Sequence, residues 1–415
     1  MEHSFRIKEC SLIGTSYSSL KSGESYSILR GINGISYSES ITSPTISLSV
    51  SFVDTEGLVS QKGITGGEYL KLRIEFGPDT RLQPLVIDSE THKLLLNGVN
   101  DVGTDSGKQT AKLDFLSTEI FINETARLNK RFSGSIKETV EALLKTEGRG
   151  IKTTKNCNIE DTLNKYVFVG NQRRAMDTIQ WLCSKSQKDQ TKFGYLFFEN
   201  IDGYHFKSID TLFTQQQSFE LSKIEIANSQ KIDKILDELV VMNNDIFSNL
   251  EKGVYSNFTT FINMKEGTRR TEKFSIDQLN ISSNSPKAPL GLNQYPSRQF
   301  FRILDVGAMQ PGGSQQDMKA VKQTDLAIAQ SKSLARNKLA FAQQLKVSVP
   351  CNTNLRAGQI VNIRLPEPNS QTKGKSFGSG DKDVGGRYLI GRLRHDFGGN
   401  RSNTQLTLIR DTFTA

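Results

Sequence analysis

Ile46-Ser47-Leu48-Ser49-Val50-Ser51-Phe52 alternates an apolar residue with a serine at every step. Gly67-Glu68-Tyr69-Leu70-Lys71-Leu72-Arg73-Ile74 repeats the pattern with charged residues in the polar places. A period of two puts Ile46, Leu48 and Val50 on one face of a strand, and Leu70, Leu72 and Ile74 on one face of another, with the opposite faces wet. Turn signals stand between them at Asp54-Thr55-Glu56-Gly57 and Gly66-Gly67, and Leu113-Asp114-Phe115 and Ile120-Phe121-Ile122 add strand material. Residues up to about 125 therefore predict an antiparallel barrel or sandwich. The same spacing returns near the other end, in Gly358-Gln359-Ile360-Val361-Asn362-Ile363-Arg364-Leu365. Both segments place apolar residues three, five and seven positions after a glycine and an arginine at six. Val361, Ile363 and Leu365 thus take the places of Leu70, Leu72 and Ile74, and the echo predicts two β units of similar design in one chain.

Between these units the period changes. Ser135 with Glu138 three residues on is a capping-box pattern, and Ile136, Val140, Leu143 and Leu144 follow at helical spacing, which predicts a helix ending near Gly148. A second helix is expected from about Arg173 to Ser186. Tyr195-Leu196-Phe197-Phe198 and Tyr204-His205-Phe206, joined through Asn200-Ile201-Asp202-Gly203, read as a hairpin. Phe219, Leu221, Ile224 and Ile226 suggest a strand. Ile232, Ile235, Leu236 and Leu239 suggest a helix capped by Asn228 or Ser229. Residues 280–325 hold four of the ten prolines among Ser, Asn, Gln and Gly and read as largely irregular. A helix over about 326–344 and strands at 345–349, 360–365, 388–390 and 406–409 complete the pattern, with a Gly/Ser/Lys-rich loop at 366–387.

At 415 residues, with 36% hydrophobic and 23% charged residues, the chain is long enough for two to four folded domains. No apolar run approaches the roughly 18 residues of a membrane helix, so no membrane insertion is expected. The first ten residues lack an apolar leader core, which argues against secretion through a cleaved leader. Cys10, Cys157, Cys183 and Cys351 lie scattered, which argues against a disulfide framework and a zinc site and fits a reducing cytoplasm.

The 53 basic residues exceed the 44 acidic ones by a small margin for this length. Between 371 and 401 the excess is local. Lys373, Lys375, Lys382 and Arg387 make this segment a candidate partner loop facing an acidic surface or nucleic acid, the bland alternative being a solvated loop. Catalytic signatures are missing: there is no His-Glu-x-x-His, no Gly-x-Ser-x-Gly, and Gly103-Thr104-Asp105-Ser106-Gly107-Lys108 falls one residue short of a phosphate loop and reads as a turn. His395 reads as a structural hydrogen-bonding residue. Glu199 and Asp202 are assigned to the hairpin turn, and Glu138 and Glu141 to a solvated helix face. A cell-wall hydrolase would need two carboxylates facing across a cleft, and no pair is singled out. No catalytic residue, metal or cofactor is expected, and the chain reads as an assembly protein rather than an enzyme.

Several phrases, in this order, resemble the central baseplate hub protein of contractile phage tails, a family related to the N-terminal part of the type VI secretion spike. They are Tyr37-Ser38-Glu39-Ser40-Ile41-Thr42-Ser43-Pro44 leading to Asp54–Gly57 and Gly66-Gly67-Glu68; Tyr195 through Asp210; and Leu355-Arg356-Ala357-Gly358 followed by Gly386–Ile390 and Arg394-His395. The resemblance covers roughly 30–250 and 335–415. It implies an α+β, mainly antiparallel β fold with two tail-tube-like β-barrel domains, at 1–126 and at 216–250 joined to 335–415. Two smaller domains are implied, an α+β one at 127–215 and an inserted peripheral one at 251–334. It further implies a homotrimer of pseudo-sixfold symmetry that joins the spike to the tail tube, nucleates the tube and passes DNA through its lumen. Baseplate wedge proteins and the tape-measure protein would be further partners, and the site would be the virion tail, assembled in the host cytoplasm. The competing readings are a tail-associated cell-wall hydrolase on a β scaffold and a nucleic-acid- or receptor-binding β protein.

Overall fold

A computed structural model of the chain describes residues 5–412, apart from 56, 60, 78–80, 89, 91, 106–107, 146–149, 224–232, 243–245, 265–266, 280–288, 304–308, 312–323, 367–383 and 400. The N-terminal part folds as β1 (Phe5–Ile13), β2 (Ser25–Ser27), β3 (Ile32–Ser40), β4 (Ser47–Asp54), β5 (Tyr69–Phe76), β6 (Leu85–Ile87), β7 (Leu94–Asp105), β8 (Lys108–Ser117) and α1 (Thr118–Thr125). An α+β block follows: β9 (Arg131–Ser135), α2 (Ile136–Lys145), β10 (Cys157–Ile159), β11 (Lys165–Val169), α3 (Ala175–Cys183), β12 (Tyr195–Asn200), β13 (Gly203–Ser208) and α4 (Ile209–Thr214). After β14 (Gln217–Ser222) and β15 (Asp237–Met242) come α5 (Ile246–Glu251), β16 (Ser256–Asn263), β17 (Thr268–Ser275), β18 (Arg298–Ile303), β19 (Met309–Pro311) and α6 (Thr324–Ala340). The chain ends in β20 (Gln343–Pro350), β21 (Ile360–Arg364), β22 (Gly386–Gly398) and β23 (Arg401–Arg410).

The fold is α+β and mainly antiparallel. Fourteen strands form one large sheet along the path β15-β20-β23-β22-β3-β4-β8-β7-β5-β1-β2, with β14, β21 and β6 attached at its side. Among the described residues no closed barrel forms, and the two strand units that the resemblance implies as tail-tube-like barrels are joined in this one sheet. The joint between the halves is a strand pairing, Arg392–Gly398 of β22 with Gly34–Ser40 of β3.

The two halves repeat one pairing order, β3-β4-β8-β7-β5 in the first and β15-β20-β23-β22-β21 in the second. The correspondence reaches single residues. Gly67 gives its N–H to Leu96 O and Leu96 returns one to Glu68 O; Gly358 gives its N–H to Ile390 O and Ile390 returns one to Gln359 O. Both glycines are left-handed, at φ +96° and +89°, where a side chain is strained. Leu95 faces Tyr69 as Leu389 faces Ile360, and the register slips by one residue after Leu96 in β7 and after Ile390 in β22. A bulge at the same place in both copies re-aims each long strand past its first partner. All nine alternation residues, Ile46, Leu48, Val50, Leu70, Leu72, Ile74, Val361, Ile363 and Leu365, are buried in one apolar cluster that runs through both halves.

A second cluster fills the α+β block. The capping box forms as read, Ser135 N–H donating to Glu138 Oε2 at 3.1 Å and Glu138 N–H to Ser135 Oγ at 3.2 Å, and α2 buries Ile136, Val140, Leu143 and Leu144. The β12–β13 hairpin is also as read. The segment 251–334 is tied to this block: β19 pairs with β11, and Phe261 of β16 lies in the block's core.

Two expectations are corrected. Of the helix expected on Ile232, Ile235, Leu236 and Leu239, the end from Asp237 lies in strand β15 along β20, with Leu236 52% and Leu239 59% exposed; the helical spacing was incidental, and the neighbouring strand decided the conformation. Residues 224–232, with Ile224, Ile226, Ile232 and the proposed caps, lie outside the described residues. Within the stretch read as irregular, Arg298–Ile303 is a strand parallel to β16. Its sequence, Arg-Gln-Phe-Phe-Arg-Ile, has no period of two, and its pairing with β16 makes it a strand.

Candidate assembly interface

The joint of β22 and β3 is held by more than its backbone ladder. Ser36 Oγ donates to Asp396 Oδ1, and Arg394 Nε donates to both, at 2.7 and 2.8 Å. His395 is fully buried, its Nδ1 2.8 Å from Thr404 Oγ1 and its ring stacked on Tyr37 at 5.9 Å. It is thus a structural residue. Burial, and then the Arg356 charge, push its imidazole down to about 3.

The α+β block is seated on the sheet by buried charge. Lys155 Nζ lies 2.7 Å from Glu119 Oε2 and 2.6 Å from Glu199 Oε1, with the lysine side chain 3% and the Glu199 side chain 0% exposed. The other Glu199 oxygen accepts the Ile46 N–H of the sheet at 3.1 Å, and Thr153 Oγ1 donates to Glu119 at 2.8 Å. Glu199 is therefore a buried anchor and not a turn residue; Asp202 alone stays at the turn, 3.5 Å from Arg356 Nε. Burial works against the Lys155 ammonium, but Glu199 and Glu119 outweigh it and hold its pKa above the usual lysine range. Burial raises the Glu199 carboxyl in spite of Lys155.

A second anchor is Glu39 on β3. Its carboxylate accepts the Ala357 N–H at 2.9 Å, the Ile201 N–H at 2.8 Å and the Tyr37 hydroxyl at 2.7 Å, joining β3, the β12–β13 turn and the loop before Gly358. Arg336 of α6 completes the set, its guanidinium bound to Asp210 and Asp411 at 2.8 and 2.7 Å. Sequence reasoning missed these anchors. Glu39 was findable, since it shares the inward parity of Ile35, Tyr37 and Ile41; Lys155 sits in a loop and had no local signal.

Of the candidate partner loop, Lys373, Lys375 and Lys382 lie outside the described residues. Arg387 is not in a loop: it stands on β22 opposite Asn362, and its Nη2 donates to Gln215 O at 2.7 Å. The pairing with β21 extends the strand to Gly386, and the glycine-rich composition around it concealed this. Glu138 and Glu141 are on α2, Glu138 bound in the capping box. Among the described residues no group of His, Cys, Asp and Glu is placed to hold a metal ion, and no helix is long and apolar enough to cross a membrane. All four cysteines are free thiols, and burial pushes Cys10 and Cys351 up to about 12. The arrangement binds chain segments to one another.

His395 makes acid stability a test of this joint. Its ordinary pKa lies near 6.5 and its folded value is lower, so its contribution is present above 6.5 and is lost as pH falls toward 3. The loss should be on the order of 3 kcal/mol by pH 4. The Glu39 and Glu199 carboxyls, raised by burial, act in the opposite sense. Comparison with His395→Gln isolates the histidine: urea unfolding between pH 7 and 4 should decline less steeply for the variant. Equal slopes would remove His395 as the acid-sensitive element.

The sequence matches no protein-family model and no curated protein. In three dimensions the chain is similar to a tail protein from Neisseria meningitidis MC58, at 9% identity and a TM-score of 0.54, covering 100% of this chain and 97% of that one. It is also similar to the 43 kDa tail protein of prophage MuSo2 from Shewanella oneidensis, at 8% identity and a TM-score of 0.50, covering 97% of each chain. With both molecules matched over nearly their whole lengths, this chain has the fold of these phage tail proteins.

Proposed function

We propose that the chain is the structural hub of a phage tail baseplate. Three copies form a ring, each contributing two strand units, residues 1–126 and residues 216–250 with 335–415. Six units around one axis match a sixfold tail tube, while three chains match a threefold spike. The ring joins the two, offers its strand edges and loops as the template for the first tube ring, and leaves a lumen for DNA. The segments 127–215 and 251–334 decorate it and contact the wedge proteins, the spike and the tape-measure protein, and the basic loop with Lys373, Lys375 and Lys382 faces an acidic partner.

The observation that carries this reading is the repeat: one chain holds the same strand arrangement twice, joined edge to edge through β22 and β3. A tube subunit needs one such unit, and a symmetry adaptor needs two. The fold shared with phage tail proteins supports a place in the tail. A non-enzymatic role is supported by the buried carboxylates, since Glu119 and Glu199 share the Lys155 ammonium in the interior instead of facing a cleft. Particle mass in solution with end-on images tests the proposal. Three chains around a central hole are expected; a one-chain particle without an aperture at all concentrations overturns it.

A further inference from the structure

The repeat leaves two strand edges without a described partner. In the second half, β22 carries β21 on the first part of its outer edge and β3 on the rest. In the first half, β7 meets β5 only at Leu95, and the edge from Gly98 to Asp105 has no strand beside it among the described residues. β3 has its counterpart in β15, which stands at the end of the sheet path and among the described residues pairs over Asp237–Met242 with β20 alone, the Ser222–Lys234 bridge to the end of β14 lying just before it. One copy of the joint is thus made within the chain, and both halves of a second copy are present but apart. The vacant edges carry exposed apolar residues, Val102 at 48% on β7 and Leu239 at 59% on β15. Unpaired strand edges of this kind are templates for another chain.

We propose that β15 of one copy pairs antiparallel with residues 98–105 of β7 in the next copy, in the register that β3 and β22 use internally. The proposal rests on the ring reading and supplies its contact. The pairings through β4, β20, β8 and β23 fix the register. Val240 corresponds to Tyr37 and Leu239 to Ser36, because Leu345 and Lys346 oppose them as Leu48 and Ser49 oppose Tyr37 and Ser36. Gly103 corresponds to Asp396, because Thr110 and Asn403 oppose them. Leu239 therefore meets Gly103 of the neighbour where Ser36 meets Asp396 inside the chain. Asp101-Val102, in a bulge with Asp101 at φ +49°, takes the place of His395. The contact is head-to-tail: each copy gives β15 on one side and accepts on β7 at the other, so the series closes only as a ring.

Gly103→Cys combined with Leu239→Cys tests it. Ser36 and Asp396 touch through their side chains at the equivalent place, and a Cβ on Gly103 meets nothing nearer than Thr110 Oγ1 at 3.5 Å. Under mild oxidation the double variant should yield a covalent ring of three chains, a mixture of the single variants a two-chain product, and each single variant or the wild type neither. Glu238→Pro is the second arm. Ser348 O faces β15, since it accepts the Leu236 N–H, so Lys346 and its partner Leu239 face each other while Glu238, opposite Val347, turns its N–H away from β20 and is not needed in that ladder. This variant should keep the wild-type unfolding midpoint while the particle mass falls to one chain. Three-chain particles without the Gly103–Leu239 bond, self-linking single variants, or a folded Glu238→Pro trimer overturn the edge pairing and leave the ring reading standing. A monomeric wild type together with a double variant that forms no such bond overturns both.

Discussion

Leu72→Asp and Ile363→Asp are each expected to leave no soluble, folded protein. Leu72 is buried between Cys10 of β1 and Ile87 of β6, and Ile363 between Leu221 of β14 and Gly386 of β22, so each side chain sits mid-sheet with strands on both sides. The change forfeits about 2–3 kcal/mol of apolar burial. It also buries a carboxylate with no cation in reach, at a cost of several kcal/mol more even after local relaxation. Against a total stability of about 5–15 kcal/mol, either loss is close to the whole. Leu72 and Ile363 occupy the same place in the two copies, so the pair is an internal replicate. Soluble yield and far-ultraviolet dichroism decide it. Soluble variants of native stability would contradict the assignment of these faces to the core. The milder Leu72→Ala should lose about 2–5 kcal/mol and still fold.

Lys155→Met should lower stability by about 3–5 kcal/mol, because it leaves two buried carboxylates facing each other without their cation. Glu199 is fully enclosed and cannot turn toward water, so its remaining route is to take up a proton. Its folded pKa, already raised by burial, then rises further. A raised carboxyl contributes stability below its unfolded pKa that is lost as pH climbs through the folded one, so the variant should be most impaired at neutral and alkaline pH and partly recover in mild acid. Adding Glu199→Gln should restore part of the loss at pH 7. Urea midpoints for the single and double variants measure this. A wild-type midpoint for Lys155→Met would mean that the ionic cluster does not seat the α+β block.

β4 and β5 were legible because each buries one face only. Serine at every second position over Ile46–Phe52 and charged residues over Leu70–Phe76 left one arrangement open, and the spacing after Gly67 and Gly358 marked corresponding strands before any pairing was known. The α2 helix was legible for the same reason, its capping box and apolar stripe agreeing. What stayed hidden depended on distant parts of the chain. β15 is a strand because β20 lies beside it. Whether sheets close is a property of edges, which sequence periodicity does not describe. Lys155 is a ligand of two glutamates 36 and 44 residues away, and nothing in Thr153-Thr154-Lys155-Asn156 announces either.

The joint between β3 and β22 also sets a clock during synthesis. β3 leaves the ribosome about 350 residues before the strand that will cover it. At about 5–20 residues per second, the nascent chain carries that bare ladder for roughly twenty seconds to over a minute. Throughout this interval its neighbours on a polysome display the same uncovered ribbon, and β15, the look-alike of β22's true mate, emerges first. Chaperone shielding of the early product, or slow translation of the middle third, would then decide how many copies finish correctly, and truncated chains that end before residue 386 would keep a permanently adhesive flank.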